Sequence, residues 1–463
     1  MSHSDLDVII LAAGKGTRMR SSMPKVLHQL AGRSMLDHVI GTAQTLDPRK
    51  VVVVVGHGSE AVKQALADKI VPVEQHEQKG TGHAVTVGMT EIENSACVLV
   101  LYGDVPMVSH GTLAQAVAAV ADGAVGLVTA NFTNPGELGR IVRSADGSIS
   151  RIVEFKDADP QTRAIGEINS GIMALPGDRL AGWLARITPA NKQGEYYLTD
   201  VIEMAVAEGV EVRGVVVDDP AEVTGVNDRA QLAQLERIYQ SRQAEKLMHS
   251  GVSIADPERV DIRGQIEAGE DVFIDINVVF NGTVKLGSGV HIGPGAVITD
   301  AEIGDNCVVH PHTVVEGAQL KTGVSVGPFA RIRPGSVLED GVKIGNFVET
   351  KKAHMGRDSK ASHLAYLGDA TIGEECNIGA GAVTCNYDGI SKHETEIGNG
   401  VFVGTNATLV APITIEDGAF VAAGSSVTTK IESGDLAVGR AKQRNIKGWT
   451  RPDQRKSKDP KDG

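Results

Sequence analysis

Two glycines and two cations near the start of the chain suggest phosphate chemistry. In Leu11-Ala12-Ala13-Gly14-Lys15-Gly16-Thr17-Arg18 an apolar run gives way to small residues whose backbone N–H groups can approach a phosphate. Arg18 and, after Met23-Pro24, Lys25 can neutralise charge and align a triphosphate. The spacing matches neither GxxxxGK[ST] nor GxGxxG, so this is not one of the common nucleotide loops. A second cationic set lies far downstream: Arg331, Arg333, Lys351, Lys352 and Lys360, with His354, His363 and Tyr366 among them. Arg333 and Lys351 are 18 residues apart. One coil of a solenoid with that repeat would stack them on one face, where both can grip the same phosphate. A polar segment, Thr384-Cys385-Asn386-Tyr387-Asp388-Gly389, follows.

The elements that must carry these residues fall into two kinds. From Val8 to about Asn227, short apolar runs such as Val8 to Leu11, Val51 to Val55 and Val98 to Tyr102 alternate with amphipathic stretches. Buried parallel strands read this way, so residues 1–228 are expected to form a doubly wound, Rossmann-like α/β domain. Ligands in such sheets sit beyond the carboxyl ends of strands, and those ends carry Gly14-Lys15-Gly16, Gly56-His57-Gly58 and Gly103-Asp104. Residues 229–250 have helical spacing (Leu232, Leu235, Ile238, Tyr239, Leu247) and stop at Gly251, as a linker helix would. Between Val272 and Val427 an aliphatic residue recurs about every six positions, and a small or β-branched residue usually follows four later. Three strand-plus-corner hexads per coil satisfy that period, so residues 251–463 are expected to form a parallel β-helix with a basic tail after Val438. Two stretches are expected to break the repeat, one at about Glu349 to Tyr366 and one at Thr384 to Gly389, and breaks are where a solenoid usually places function.

Bulk properties exclude several classes. A formal net charge of −13 argues against nucleic-acid binding, which needs a basic face. Four cysteines without a CxxC pair fit reduced thiols better than disulfides or a zinc site. No apolar run approaches a membrane span and the polar start is unlike a signal peptide, so a cytoplasmic protein without membrane partners is expected.

The loop with Arg18 and Pro24-Lys25 resembles the sugar-1-phosphate nucleotidyltransferases (pyrophosphorylases). So do Gln75, Gly80-Thr81-Gly82-His83, Tyr102-Gly103-Asp104, Gly139-Arg140, Val153-Glu154, Asn169-Ser170-Gly171 and Val226-Asn227. This resemblance implies attack of a sugar-1-phosphate oxygen on the α-phosphorus of a nucleoside triphosphate. The phosphate nucleophile needs no general base, so Arg18 and Lys25 would be catalytic by position and charge. It also implies that Leu11, Ala12, Ala13, Gly14, Lys25, Tyr102 and Gly103 line the UTP site. Gln75, Gly80 and Thr81 would take the base, and Gly139, Glu154 and Asn169 the sugar. Magnesium is the natural bridge, with Asp104 and Asn227 as ligands. Asn227-Asp228 could also cap the linker helix, and Glu154 could be a surface carboxylate.

The hexad solenoid resembles the left-handed β-helix acyltransferases. Over nearly the whole chain the segments Gly345-Asn346 to Lys352, Ser359 to Asp369 and Asn377 to Gly389 resemble the bacterial bifunctional N-acetylglucosamine-1-phosphate uridyltransferase / glucosamine-1-phosphate acetyltransferase family. That resemblance makes His363 the general base for acetyl transfer from acetyl-CoA to glucosamine-1-phosphate, a role that suits imidazole. Arg333, Lys351, Tyr366, Asn377 and Asn386 would hold the sugar phosphate, with Asn386 orienting the amine. Ala380, Asn386-Tyr387, Thr405, Ala423 and Arg440 would contact acetyl-CoA. Thr405 stands where the family commonly has Ser, keeping the hydroxyl but adding a methyl. The family's assembly implies a homotrimer with acetyltransferase sites between subunits. Two rivals remain: a monofunctional nucleotidyltransferase with a scaffolding β-helix, and a binding module carried by an inactive nucleotide domain.

Overall fold

The computed structural model describes residues 5–56, 58–66 and 69–455. The first four residues of the polar start, His57, and Lys456 in the basic tail lie outside them. The chain forms two compact units, Met1–Lys246 with Asp261–Gly264, and Leu247–Val260 with Gln265–Gly463.

The first unit is built on a mixed sheet. Its main path runs Val212–Val217, Val125–Asn131, Glu167–Pro176, Cys97–Tyr102, Leu6–Ala12, Lys50–Val55 and Val71–Glu74. Successive side chains of a strand face opposite sides, and both sides here are apolar. Val8 and Ile10 pack with the helices Met35–Gln44 and His110–Ala121, while Ile9 and Leu11 pack with the layer containing Ala84, Trp183 and Val201. Each such fully buried Val or Ile contributes about 1.5–3 kcal/mol. Glu167–Pro176 departs from the all-parallel expectation, pairing antiparallel with both neighbours. A strand covered on both faces has the same apolar composition whichever way it runs, so composition could not give its direction.

The second unit is a three-faced parallel β-helix. Eleven strands, from Ser253–Ile254 to Leu436–Ala437, stack along one face among the described residues. The other two faces are joined where the long strands Val278–Leu286, Glu349–Met355 and Tyr366–Ile372 turn a corner. Register stacks Ile274, Ile292, Val309, Val326 and Ile344, then Ala361, Ile378, Val403 and Val421, all buried. Paired residues on successive rungs are commonly 17 or 18 positions apart, as in Lys343 with Lys360 and Ser325 with Lys343.

One expected break is not a break. Lys343–Asn346 pairs with Lys360–His363, and Glu349–Met355 with Tyr366–Ile372, so the coil passes through in register. Thr350 and Ala361 fill the inward slots there, which hid the repeat from an aliphatic count. The other break is real. Thr371 pairs with Glu396 and Asn377 with Phe402, 25 positions on, because residues 386–394 loop out.

Candidate functional sites

In the first unit Leu6–Ala12 ends at the sheet's carboxyl edge, and Gly16 turns the chain with φ +58°. A Cβ at Gly16 would lie 2.6 Å from Lys25 Cβ, so only glycine lets Lys25 close over the loop. The Lys25 ammonium is ion-paired with Asp104 Oδ2 and donates to Asn227 Oδ1 at 3.3 Å. Arg18 Nη2 donates to the same Asn227 oxygen at 2.9 Å. Asn227 is delivered by the backbone, since Val226 N donates to the Asp104 carbonyl at 3.0 Å. The capping alternative goes to its neighbour: Asp228 Oδ1 accepts from Gln231 N at 2.9 Å at the head of Arg229–His249, leaving the Asn227 amide for the site.

Beside this cluster a cleft of about 250 Å³ is lined by Leu11, Ala12, Ala13, Gly14, Gln75, Gly80, Thr81 and Tyr102. Gln75 is buried, and its amide donates to the Gly80 carbonyl at 3.3 Å. Gly103 N donates to the Leu11 carbonyl, which fixes the two strand ends side by side. Tyr102 lies within the influence of both Asp104 and Glu154, and burial pushes its phenol up. Around Glu154, Thr199 Oγ1 donates to one carboxylate oxygen at 3.2 Å, and a side chain on Gly139 would come within 3.4 Å of both. Asn169 N donates to the Gly139 carbonyl at 2.9 Å. Glu154 is therefore a partly buried group and not an exposed surface carboxylate, and burial raises it above the usual carboxylate range. Gln78 and Glu195 also line the cleft and were not singled out in the sequence. Gln78 Nε2 donates to the Ala13 carbonyl at 2.7 Å, holding the glycine loop. Only its place between Gln75 and Gly80 hinted at it.

In the second unit the sequence-selected residues fall on two corners. On one, register stacks Asn346, His363, Ala380, Thr405 and Ala423 in a column, and Arg440 Nη1 donates to the Ala423 carbonyl at its top. His363 is exposed, and its Nδ1 donates to Asn346 Oδ1 at 2.6 Å. A carbonyl oxygen accepts only, so this contact puts a ring proton on Nδ1 and makes Nε2 the nitrogen that can take one up. Asn346 has no role in the motif reading of the sequence; its place 17 residues before His363 is the signal. Asn377 precedes the column on the adjoining face, paired with Phe402.

The second corner gathers cations and an amide. Arg333 and Lys351 do lie on neighbouring rungs, because Ile332 pairs with Thr350, and Arg333 Nη1 reaches Glu349 Oε1 at 2.7 Å. Tyr366 pairs with Glu349, and its hydroxyl lies over Gly368. Asn386 is buried and donates to Asp369 Oδ2, while Tyr387 is exposed. Lys392, from the looped-out segment, also belongs here. Lys351 is near enough to hold the Lys392 ammonium below the ordinary value, by side-chain contact first and charge repulsion second, with Asp369 and Tyr366 acting oppositely. Two ammoniums and a guanidinium thus share one corner with the Glu349 and Asp369 carboxylates. Lys392 was not selected because the loop changes the coil length and breaks the arithmetic.

Among the described residues no helix is long and apolar enough to cross a membrane, and no group of three or more His, Cys, Asp or Glu could hold a metal.

Comparison with known proteins matches this division. The model of the MobA-like NTP transferase domain matches residues 8–170. The bacterial transferase hexapeptide model matches 269–300, and the hexapeptide repeat of succinyl-transferase matches 370–391 and 395–429, in keeping with a left-handed β-helix. The bifunctional protein GlmU of Alkalilimnicola ehrlichii is 53% identical over 97% of this chain and 97% of its own length. Those of Pseudomonas entomophila and Marinobacter nauticus are 52% and 50% identical, each over 97% of this chain and 99% of the relative. With a nucleotidyltransferase unit, a hexapeptide-repeat unit and full-length relatives of this closeness, the chain belongs to the GlmU family of bifunctional proteins.

Proposed function

We propose that the protein makes UDP-N-acetylglucosamine in two steps at two separate sites. In the second unit, His363 Nε2 takes a proton from the amine of glucosamine-1-phosphate as the nitrogen attacks the acetyl-CoA thioester. The N–C bond forms, the C–S bond breaks, and coenzyme A leaves as the thiol after gaining a proton. Asn346 fixes the base's tautomer. Arg333, Lys351, Tyr366 and Lys392 hold the phosphate, Asn377 the sugar, and Asn386 the amine. The column of half-buried Ala380 and exposed Thr405, Ala423 and Arg440 takes acetyl-CoA with Asn386-Tyr387.

In the first unit, the phosphate oxygen of N-acetylglucosamine-1-phosphate attacks the α-phosphorus of UTP. A P–O bond forms, the bond to the β-phosphate breaks, and pyrophosphate leaves. Arg18 and Lys25 offset the accumulating charge, Gln75, Gly80 and Thr81 seat the base, and Gly139, Glu154 and Asn169 the sugar. Magnesium fits Asp104 and Asn227: both offer hard oxygens, and both oxygens already converge on one cation, the Lys25 ammonium. When bound, it would supply positive charge against the phosphates.

The protein is read as a cytoplasmic homotrimer. His363 and Asn386 lie at opposite ends of one face, since Asn386 sits over Asp369, six positions beyond His363. At a rise of ~3.3 Å per residue that is roughly 15–20 Å, too far for one amine to meet both within one chain. Packing one copy's His363 corner against another's Lys351 corner completes the site. It also covers Phe329, Phe347 and Leu364, which are 50%, 55% and 60% exposed beside His363.

The observation that carries the reading is that each unit has its own polar groups: Arg18, Lys25, Asp104 and Asn227 together in the first, and the Asn346–His363 pair and the Arg333–Lys351 corner in the second. His363→Ala should abolish acetyl transfer and spare uridylyl transfer, and Asp104→Ala should do the reverse. Loss of both activities from either change in folded protein would sink it. Uridylyl transfer without any sugar-dependent thiol release from acetyl-CoA would leave the β-helix a scaffold.

A further inference from the structure

The loop that brings Lys392 to Lys351 has little to hold it by packing. It is the excursion that lengthens one coil to 25 residues, and its tip, Ile390, is 91% exposed. Ordering such a segment costs about 1–2 kcal/mol of backbone entropy per residue, so something must fix it. The loop's own polar contacts do so, and they centre on one carboxylate. Asp388 Oδ1 accepts from Ile390 N at 2.8 Å and from Ser391 N at 2.7 Å. Its Oδ2 receives His393 Nε2 at 2.7 Å. These partners hold the Asp388 carboxyl well below the usual carboxylate range, Ser391 N foremost, then His393 and Ile390 N.

The turn is then stitched at its base. His393 N donates to the Asn386 carbonyl at 2.8 Å, Asp388 N to the Ser391 carbonyl at 3.2 Å, and Tyr387 forms an antiparallel bridge with Lys392. Tyr387 Oη donates to the Gly389 carbonyl at 2.7 Å. The residues clamped between Asp388 and His393 include Lys392, and the backbone clamped to His393 is that of Asn386. The latch therefore sets where an ammonium and an amide stand, without touching substrate.

We propose that Asp388 and His393 are positioning residues of the acetyltransferase site, locking residues 386–393 so that Lys392 stands beside Lys351 to receive the sugar phosphate while Asn386 faces its amine. This rests on the acetyltransferase reading above. Its consequence is a defect confined to glucosamine-1-phosphate in one of the two activities.

The test is steady-state acetyl transfer by the full-length protein with glucosamine-1-phosphate varied, and uridylyl transfer from N-acetylglucosamine-1-phosphate run in parallel. Asp388→Ala removes three acceptor contacts and should raise KM for glucosamine-1-phosphate by about tenfold or more, with a smaller fall in kcat and unchanged uridylyl transfer. Asp388→Asn keeps the acceptor for the two backbone donors and should recover most of the loss. His393→Ala should raise KM, and His393→Gln, which restores a donor, should lower it again. A defect from mere unfolding would not be rescued this way and would appear in kcat, and in uridylyl transfer if global. If Asp388→Ala does not fold, the His393 pair decides. KM within twofold of the unaltered protein for both alanine variants overturns the latch. Full acetyl transfer by His363→Ala would instead overturn the reading on which it rests.

Discussion

Gly345→Ala should separate the two activities through a single methyl group. Gly345 lies in Lys343–Asn346, directly before the residue that orients His363. A Cβ placed there would be 1.9 Å from the Ser362 carbonyl oxygen on the next rung, where real Cβ atoms essentially never approach closer than 3.0 Å. The obstacle is backbone, so no rotamer can relieve it; the rungs must part by about 1.1 Å or shear along the strand. Ser362 is the neighbour of His363, so the imidazole moves with it. Overpacking of this kind costs about 1–3 kcal/mol of stability, which a continuous β-helix core should survive. A catalytic group displaced by ~1 Å commonly loses about 100-fold in rate. Acetyl transfer, followed by thiol release from acetyl-CoA in the presence of glucosamine-1-phosphate, should therefore fall by roughly 100-fold. Uridylyl transfer should stay unchanged and the β-helix should unfold at a moderately lower temperature. Acetyl transfer within threefold of the unaltered protein would refute the reasoning, because it would mean that the Asn346–His363 pairing does not set the rate.

The first unit should respond to pH through Glu154. Burial, with Asp157, Asp200 and Glu195 adding, raises its carboxyl above the ordinary 4.5, against the Thr199 hydroxyl that favours the anion. The folded state then binds more protons than the unfolded state, so stability is fully present below the ordinary value and is lost as pH rises through the raised one. Glu154→Gln should melt like the unaltered protein in acid and higher than it at neutral pH; parallel curves would contradict the assignment. Removing divalent cations with a chelator should lower uridylyl transfer by roughly 100-fold and leave acetyl transfer intact, and added magnesium should restore it. Equal loss of both activities would place the cation elsewhere than Asp104 and Asn227.

How far the sequence could be read depended on what each pattern encodes. The hexad revealed the β-helix because every rung repeats the same inward slot, and it placed Arg333 beside Lys351 because adjacent coils differ by a nearly constant length. It failed where that slot was filled by Thr350 and Ala361, since pairing continued without the aliphatic signal. It also could not follow Lys392 back to Lys351 across a loop that resets the count. In the first unit, apolar runs disclosed buried strands but not that Glu167–Pro176 runs against its neighbours. Gln78 acts through the Ala13 carbonyl, a contact that no residue type advertises.

The two units solve the same problem, bringing cations to a phosphate, by different physics, and the difference explains which residues could be paired from sequence. In the α/β unit Lys25, Asp104 and Asn227 come from three separate segments, and their meeting depends on a backbone bond between Val226 and Asp104 that no periodicity encodes. Only motif resemblance could group them. In the β-helix a substituent's neighbour is one coil away, so a column such as Asn346, His363 and Ala380 is generated by counting, and it resumes at Thr405 and Ala423 beyond the loop. A rigid ladder, however, can place groups only along its own edges. Grouping Lys392 and Asn386 where rungs alone would not requires chain that leaves the ladder, and such chain has no core to order it. The loop at 386–394 meets that requirement with an internal carboxylate latch, so the segment least determined by the repeat is ordered by its own side chains.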